Sequence, residues 1–145
     1  MNSAVVRIPF SLITKPTGAA CNLDCSYCFF LSKEVLFGHE TQRMSADTLD
    51  RFVQSYLDAQ PDGNVIIGWQ GGEPTMRGLP FFREAVQLAE LYRRPGQQVQ
   101  HAIQTNGTLL DDEWGEFLYE HNFLVGISMD GPPTLHDTYR VNKGH

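Results

Sequence analysis

Four times along this chain an apolar run gives way to a polar or glycine-rich turn and then to residues at helical spacing. The apolar runs are Arg7 to Lys15, Asn64 to Trp69, Gln98 to Gln104 and Phe123 to Met129. Each is short enough for a strand and rich in β-branched or aromatic residues. After the first, Ser45 is placed to cap a helix carrying Leu49, Phe52, Val53, Tyr56 and Leu57, which should stop near Gln60-Pro61. Leu79 to Arg93 reads as a second helix, with Phe82, Val86, Ala89 and Tyr92 on one face. Asp111 or Asp112 caps a third, through about His121, with Trp114, Phe117 and Leu118 apolar. A fourth begins near Thr134. Strand and helix alternating with short connections predict an α/β fold of about four βα units around a parallel sheet.

The turns carry the chemistry. Each polar motif falls just after a strand: Cys21 to Cys28, Gln70-Gly71-Gly72-Glu73-Pro74, Thr105-Asn106-Gly107 and Ser128-Met129-Asp130-Gly131. In α/β folds that edge of the sheet gathers strand C-termini and helix N-termini, and ligands bind there. Four motifs in succession are predicted to line one mouth.

Cys21, Cys25 and Cys28 are the only cysteines. Their C-x3-C-x2-C spacing brings three thiolates together on one loop. Three thiolates can hold three irons of a [4Fe–4S] cluster and leave the fourth without a protein ligand, open to a small molecule. A disulfide fits poorly, because the count is odd and no secretory leader precedes the motif. Zinc needs four ligands and would have to recruit a histidine such as His39 or His101, neither at a short zinc-like offset. Three unrelated buried thiols are the remaining alternative.

Composition narrows the partners. The 145 residues, 41% of them hydrophobic, suffice for one domain with a core. A net charge of −6 argues against a nucleic-acid binder, and no apolar run is long enough to span a membrane. Reduced thiols without a targeting segment suggest the cytoplasm.

The chain from about Phe10 onward resembles the radical S-adenosylmethionine (SAM) superfamily, in particular the anaerobic sulfatase-maturating enzymes. The resemblance rests on Lys15-Pro16-x-Gly18-Ala19-Ala20-Cys21-Asn22-Leu23-Asp24-Cys25-Ser26-Tyr27-Cys28-Phe29-Phe30-Leu31 and on Trp69 to Thr75. It rests equally on Gln104 to Leu110, on Gly126 to Pro132, and on Leu135-His136-Asp137-x-Tyr139-Arg140. It implies the N-terminal part of a full or partial (β/α) barrel. Residues 1–145 would be a radical SAM core domain that stops early, without the C-terminal domain that carries auxiliary clusters.

The resemblance also implies roles. Cys21, Cys25 and Cys28 would hold the [4Fe–4S] cluster, whose open iron chelates the amino and carboxylate groups of SAM. Tyr27 would offer an aromatic surface to adenine. Gly71 and Gly72 would let the backbone approach SAM where a Cβ would block it. A carbonyl there, with Glu73 nearby, would receive the SAM ammonium. Ser128 and Arg140 would donate to the SAM carboxylate. Asn106 and Asp130 read as residues that fix their own turns, with a ribose contact as the second reading of Asp130.

The implied reaction is oxidation of a cysteine or serine of a sulfatase to Cα-formylglycine through a 5′-deoxyadenosyl radical. The implied partners are the sulfatase polypeptide and a flavodoxin- or ferredoxin-like electron donor. No catalytic residue of the later steps is expected here, since the family carries its catalytic carboxylate and further cysteines downstream. Phe30 also stands where many relatives have tyrosine. A radical SAM enzyme that modifies another ribosomal peptide and a zinc-stabilised binding module remain as alternatives.

Overall fold

A computed structural model describes residues 6–30 and 43–143. Its sheet is parallel throughout, in the order β1 (Ile13–Thr14), β2 (Gly63–Trp69), β3 (Gln97–Thr105) and β4 (Leu124–Ile127). The helices are α1 (Ala46–Ala59), α2 (Leu79–Tyr92), α3 (Asp112–Glu120) and α4 (Pro133–Tyr139), with a 3-10 turn at Pro74–Arg77. The expected α/β alternation is present, and each expected motif follows its strand.

Helix limits follow from local chemistry. Ser45 caps α1 by accepting from the Thr48 amide at 3.2 Å, and Pro61 follows its last turn. Leu49, Val53, Tyr56 and Leu57 face inward at spacings of four, three and one. Asp111 caps α3 by accepting from the Trp114 amide at 2.9 Å. The turn out of α3 places Asn122 at φ 50°, a left-handed conformation that asparagine tolerates.

On β2 the residues Val65, Ile67 and Trp69 face the helices and are buried. They meet Phe81 and Phe82 of α2, Ile103 of β3, and Trp114 and Phe117 of α3 in one core. Trp69 packs edge-on to Phe81 and Phe82, at 5.8 and 5.6 Å between ring centroids. His101 lies flat between Trp69 and Phe123, and its Nδ1 accepts from the Trp69 indole at 3.1 Å. Burial holds its pKa down at about 4, so it is neutral at physiological pH.

The first strand is much shorter than its apolar composition predicts. Only Ile13 and Thr14 pair with β2. Upstream, side chains of α1 capture the backbone instead: the Phe10 carbonyl accepts from Tyr56 Oη at 3.2 Å and from Gln60 Nε2 at 2.6 Å. Arg7 reaches the Asp58 carbonyl at 2.7 Å. A segment so held cannot also lie in the sheet. The fourth strand is shorter than expected as well: its register with β3 runs only from Leu124 to Ile127, and the Ser128 amide, donating to the Thr105 carbonyl at 2.9 Å, makes the last bond of that ladder.

Candidate active site

Four loops leave the C-terminal ends of β1 to β4 and meet. The first is the cysteine loop. Pro16, Thr17 and Gly18 turn the chain at the end of β1, with Gly18 at φ 61°. Cys25 is buried at 8% exposure, and Cys21 and Cys28 are half-buried. The Leu23 amide donates to Cys21 Sγ at 3.4 Å, and the Phe30 amide to Cys28 Sγ at 3.4 Å. Burial pushes the Cys21 thiol up; the Leu23 amide opposes that, while the charges of Glu73, Cys25 and Cys28 add to it. Cys25 is likewise raised by burial, against the lowering pull of Arg140. The raised thiols of Cys21 and Cys25 would give up their protons to a bound metal, which offsets the cost of burying their charge.

The loop after β2 locks onto the first. The Gly72 amide donates to the Gly18 carbonyl at 3.0 Å, and the Glu73 amide to the Ala20 carbonyl at 2.8 Å. A Cβ on Gly72 would stand 1.9 Å from the Ala20 carbonyl oxygen. The space that glycine leaves is therefore filled by the cysteine loop itself. This differs from the sequence reading, in which the glycine cleared room for a ligand.

Glu73 also differs. Its side chain is 1% exposed, and both oxygens are engaged. Oε1 accepts from the Thr75 amide and hydroxyl at 3.0 and 2.6 Å and from the Thr105 hydroxyl at 2.7 Å. Oε2 accepts from the Asn106 amide at 2.8 Å. Held in this way, the carboxylate braces the second loop to the third.

The third loop reaches back to the cysteines. Asn106 Nδ2 donates to Asn22 Oδ1 at 2.9 Å and to Cys21 Sγ at 3.7 Å. Its Oδ1 accepts from the amide and hydroxyl of Thr108 at 3.0 and 2.8 Å. Sequence reasoning confined Asn106 to its own turn. The signal available was its place: a polar triplet directly after β3, as Gly71-Gly72-Glu73 is after β2.

The fourth loop closes the mouth. Gln104 Nε2 donates to Ser128 Oγ at 3.0 Å, across the gap that Gly126 leaves on β4. Asp130 takes Nε and Nη2 of Arg140 at 2.8 and 3.1 Å and accepts from the Tyr27 hydroxyl. Arg140, then Tyr27, hold the Asp130 carboxyl below the usual carboxylate range. The Arg140 guanidinium lies 5.6 Å from the Tyr27 ring centroid. Two of the Arg140 donors expected to meet a ligand carboxylate thus already meet Asp130, and Asp130 does more than shape its turn.

The backbone completes this closure. The Asp24 amide donates to the Val141 carbonyl at 2.7 Å, Ser26 to Tyr139 at 3.1 Å, and Lys143 to Asn22 at 3.3 Å. Leu23 and Asn142 form an antiparallel bridge. The four strand-end loops that carry the nine residues singled out from the sequence are thus tied to one another by these bonds.

A family model for the radical SAM superfamily matches residues 16–145. The chain belongs to that superfamily. A [4Fe–4S] cluster and SAM are the cofactors of radical SAM enzymes, and the three thiols on a braced, partly buried loop fit a cluster. Among the described residues no three His, Cys, Asp or Glu side chains converge as a single metal ion would need. A cluster asks less, since each iron takes one thiolate. The zinc reading further loses His101, which lies in the aromatic core about 13 Å along β3 from Thr105 by strand rise. His39 lies outside the described residues.

The relatives are consistent with one another. The chain is 46% identical over 136 residues to a serine-type anaerobic sulfatase-maturating enzyme of Bacteroides thetaiotaomicron, covering 93% of this radical SAM chain and 33% of the relative. It is 38% identical over 133 residues to a cysteine-type enzyme of Clostridium perfringens, covering 91% and 36%. A solved structure of native anSMEcpe with bound AdoMet and Cp18Cys peptide superposes with a TM-score of 0.83 at 38% identity, covering 94% of this chain and 35% of that one. The chain spans about a third of the length of the curated relatives it matches.

Proposed function

We propose that this chain is the cluster- and SAM-binding core of an anaerobic sulfatase maturase. The observation that carries the reading is the cysteine loop, held by all three other strand-end loops at the mouth of a radical SAM sheet. Likeness to serine- and cysteine-type maturases extends along almost the whole chain and supports a sulfatase serine or cysteine as the target.

In this reading Cys21, Cys25 and Cys28 would hold a [4Fe–4S] cluster through three thiolates, which would leave one iron without a protein ligand and available to SAM. When bound, the cluster and SAM together supply a carbon radical able to take hydrogen from an unactivated carbon. The residues position and shield. Tyr27, with its hydroxyl tied to Asp130, presents its ring at the rim. Ser128 keeps its own proton to donate while accepting from Gln104. Arg140 offers its remaining donors to the SAM carboxylate while Asp130 fixes its plane. With Glu73 engaged in bracing the loops, the SAM ammonium would be received by a backbone carbonyl near Gly71 and Gly72, with Glu73 nearby. The peptide target and a flavodoxin- or ferredoxin-like donor approach from the open side. The resemblance implies that auxiliary clusters and a catalytic carboxylate would be supplied elsewhere in the relatives' length, of which this chain spans about a third.

The test is anaerobic turnover with SAM, dithionite and synthetic sulfatase peptides carrying either serine or cysteine, run with this core inside a chain of the relatives' full length, since the core alone is expected to leave the peptides unconverted. The expected result is 5′-deoxyadenosine together with a peptide aldehyde, formed by loss of two hydrogens from serine or by replacement of the thiol carbon's sulfur with oxygen from water. SAM cleavage with both peptides unchanged would assign a different peptide substrate. Absence of iron and of SAM cleavage would overturn the radical reading.

A further inference from the structure

Asn106 sits in a network with one outlet. Its carbonyl oxygen is fixed by two donors from Thr108, the backbone amide and the hydroxyl. That fixes which end of the amide is nitrogen, since an oxygen facing Thr108 leaves Nδ2 facing the cysteine loop. Its backbone amide is tied to the buried Glu73 carboxylate, so the residue cannot slide along the loop. Nδ2 has two protons. One serves Asn22 Oδ1 at 2.9 Å, and the other points to Cys21 Sγ at 3.7 Å. Thr108 secures Asn22 too, accepting from its Nδ2 at 2.8 Å.

The three thiols are not treated alike. Cys21 receives a side-chain donor as well as the Leu23 amide. Cys28 receives the Phe30 amide, and Cys25 lies in the field of Arg140. Hydrogen bonds to cluster sulfurs stabilise the more negative, reduced state and raise the reduction potential. Backbone donors cannot be removed by a side-chain change, which leaves Asn106 as the adjustable donor among the described residues.

We propose that Asn106 is a positioning residue that sets the reduction potential of the cluster through its N–H···S hydrogen bond to Cys21. The proposal rests on the cluster reading above. It assigns to the Thr-Asn-Gly turn a role in electron uptake and not in holding SAM. The electron itself comes from an external reductant, and one electron added to the oxidised cluster gives the reduced cluster with no bond made or broken.

The test is an EPR-monitored potentiometric titration of the anaerobically reconstituted protein without SAM, with dithionite as reductant. Wild type is compared with Asn106→Ala and Thr108→Val. Asn106→Ala should keep its iron content and absorption spectrum while its midpoint moves to lower potential. At the wild-type midpoint its reduced-to-oxidised ratio should fall severalfold, about tenfold being a 59 mV shift for one electron. Thr108→Val keeps the amide donor but loosens the lock on it, so its midpoint should move the same way by less. It also carries the test if the alanine variant assembles no cluster. Wild-type midpoints in both variants, or a midpoint moved upward, would overturn the proposal while leaving the cluster reading intact. A wild-type protein without a cluster signal would instead overturn that reading, and this inference with it.

Discussion

The centre of the sheet and the fourth βα unit are held by different physics. Around β2 and β3 the ties are apolar: Ile67, Trp69, Phe82 and Phe117 are at most 1% exposed, inside a continuous aromatic cluster. In the fourth unit α4 buries no residue, and Leu124, Val125 and Ile127 of β4 remain exposed. What holds that unit to the rest is polar: the β3–β4 ladder, the Tyr27 hydroxyl on Asp130, which Arg140 fixes from within the unit, and the backbone ladder from residues 139–143 to the cysteine loop. Non-directional burial secures the scaffold. Directional bonds secure the mouth, where loop positions must be set to fractions of an ångström.

The comparison can be broken at four points. Gly72→Val should have the largest effect, because it drives a side chain into the Ala20 backbone, which cannot yield without moving the cysteine loop. Iron and sulfide analysis should find the cluster lost while far-UV circular dichroism stays close to wild type. Retention of a full cluster would show that the loops are not locked together. Phe82→Ala should act on the scaffold instead, costing about 3–5 kcal/mol as a large core cavity does, read by urea denaturation. A cost below about 1 kcal/mol would mean that the aromatic cluster is not the stabilising centre.

The third effect is acid sensitivity. His101 has a folded pKa of about 4 against an ordinary 6.5, so between those values the unfolded chain binds the proton and the folded one does not. Stability should be full above about pH 6.5 and decline as pH falls toward 4, by about 3 kcal/mol at 1.36 kcal/mol per unit. His101→Gln, which keeps an acceptor for Trp69, should flatten that part of the profile. An unchanged profile would remove His101 as its source. The smallest global effect should come from Asp130→Asn. Amide exchange at Asp24 and Ser26 should accelerate while the unfolding midpoint scarcely moves, since only the polar closure is weakened. A large drop in midpoint would show that this pair bears on the whole fold.

Much of this architecture is legible in the sequence, because periodicity and caps report on local forces. Ser45, Asp111 and the spacing from Leu49 to Leu57 set their helices through contacts within a few residues. The length of β1 is not legible: apolar residues from Ile8 to Leu12 look like strand until Tyr56 and Gln60, some fifty positions away, claim the Phe10 backbone. The site divides in the same way. The cysteines and the strand-end motifs stand out because spacing and position announce them. Which atom each motif residue serves is a long-range matter. Glu73, Asn106 and Asp130 find their partners 32, 85 and 103 positions away, in other loops. A motif read alone offers its polar groups to a ligand, whereas the folded loops spend most of them on each other.

The central claim is that these mutually braced loops hold a cluster with one iron open to SAM. EPR of the dithionite-reduced, anaerobically reconstituted protein, recorded before and after SAM is added, tests it most directly. The account predicts about four irons and four sulfides per chain and a reduced [4Fe–4S] signal. That signal should change shape on adding SAM and should be absent when Cys21, Cys25 and Cys28 are all replaced by alanine. A signal indifferent to SAM, or one that survives the triple replacement, would contradict it.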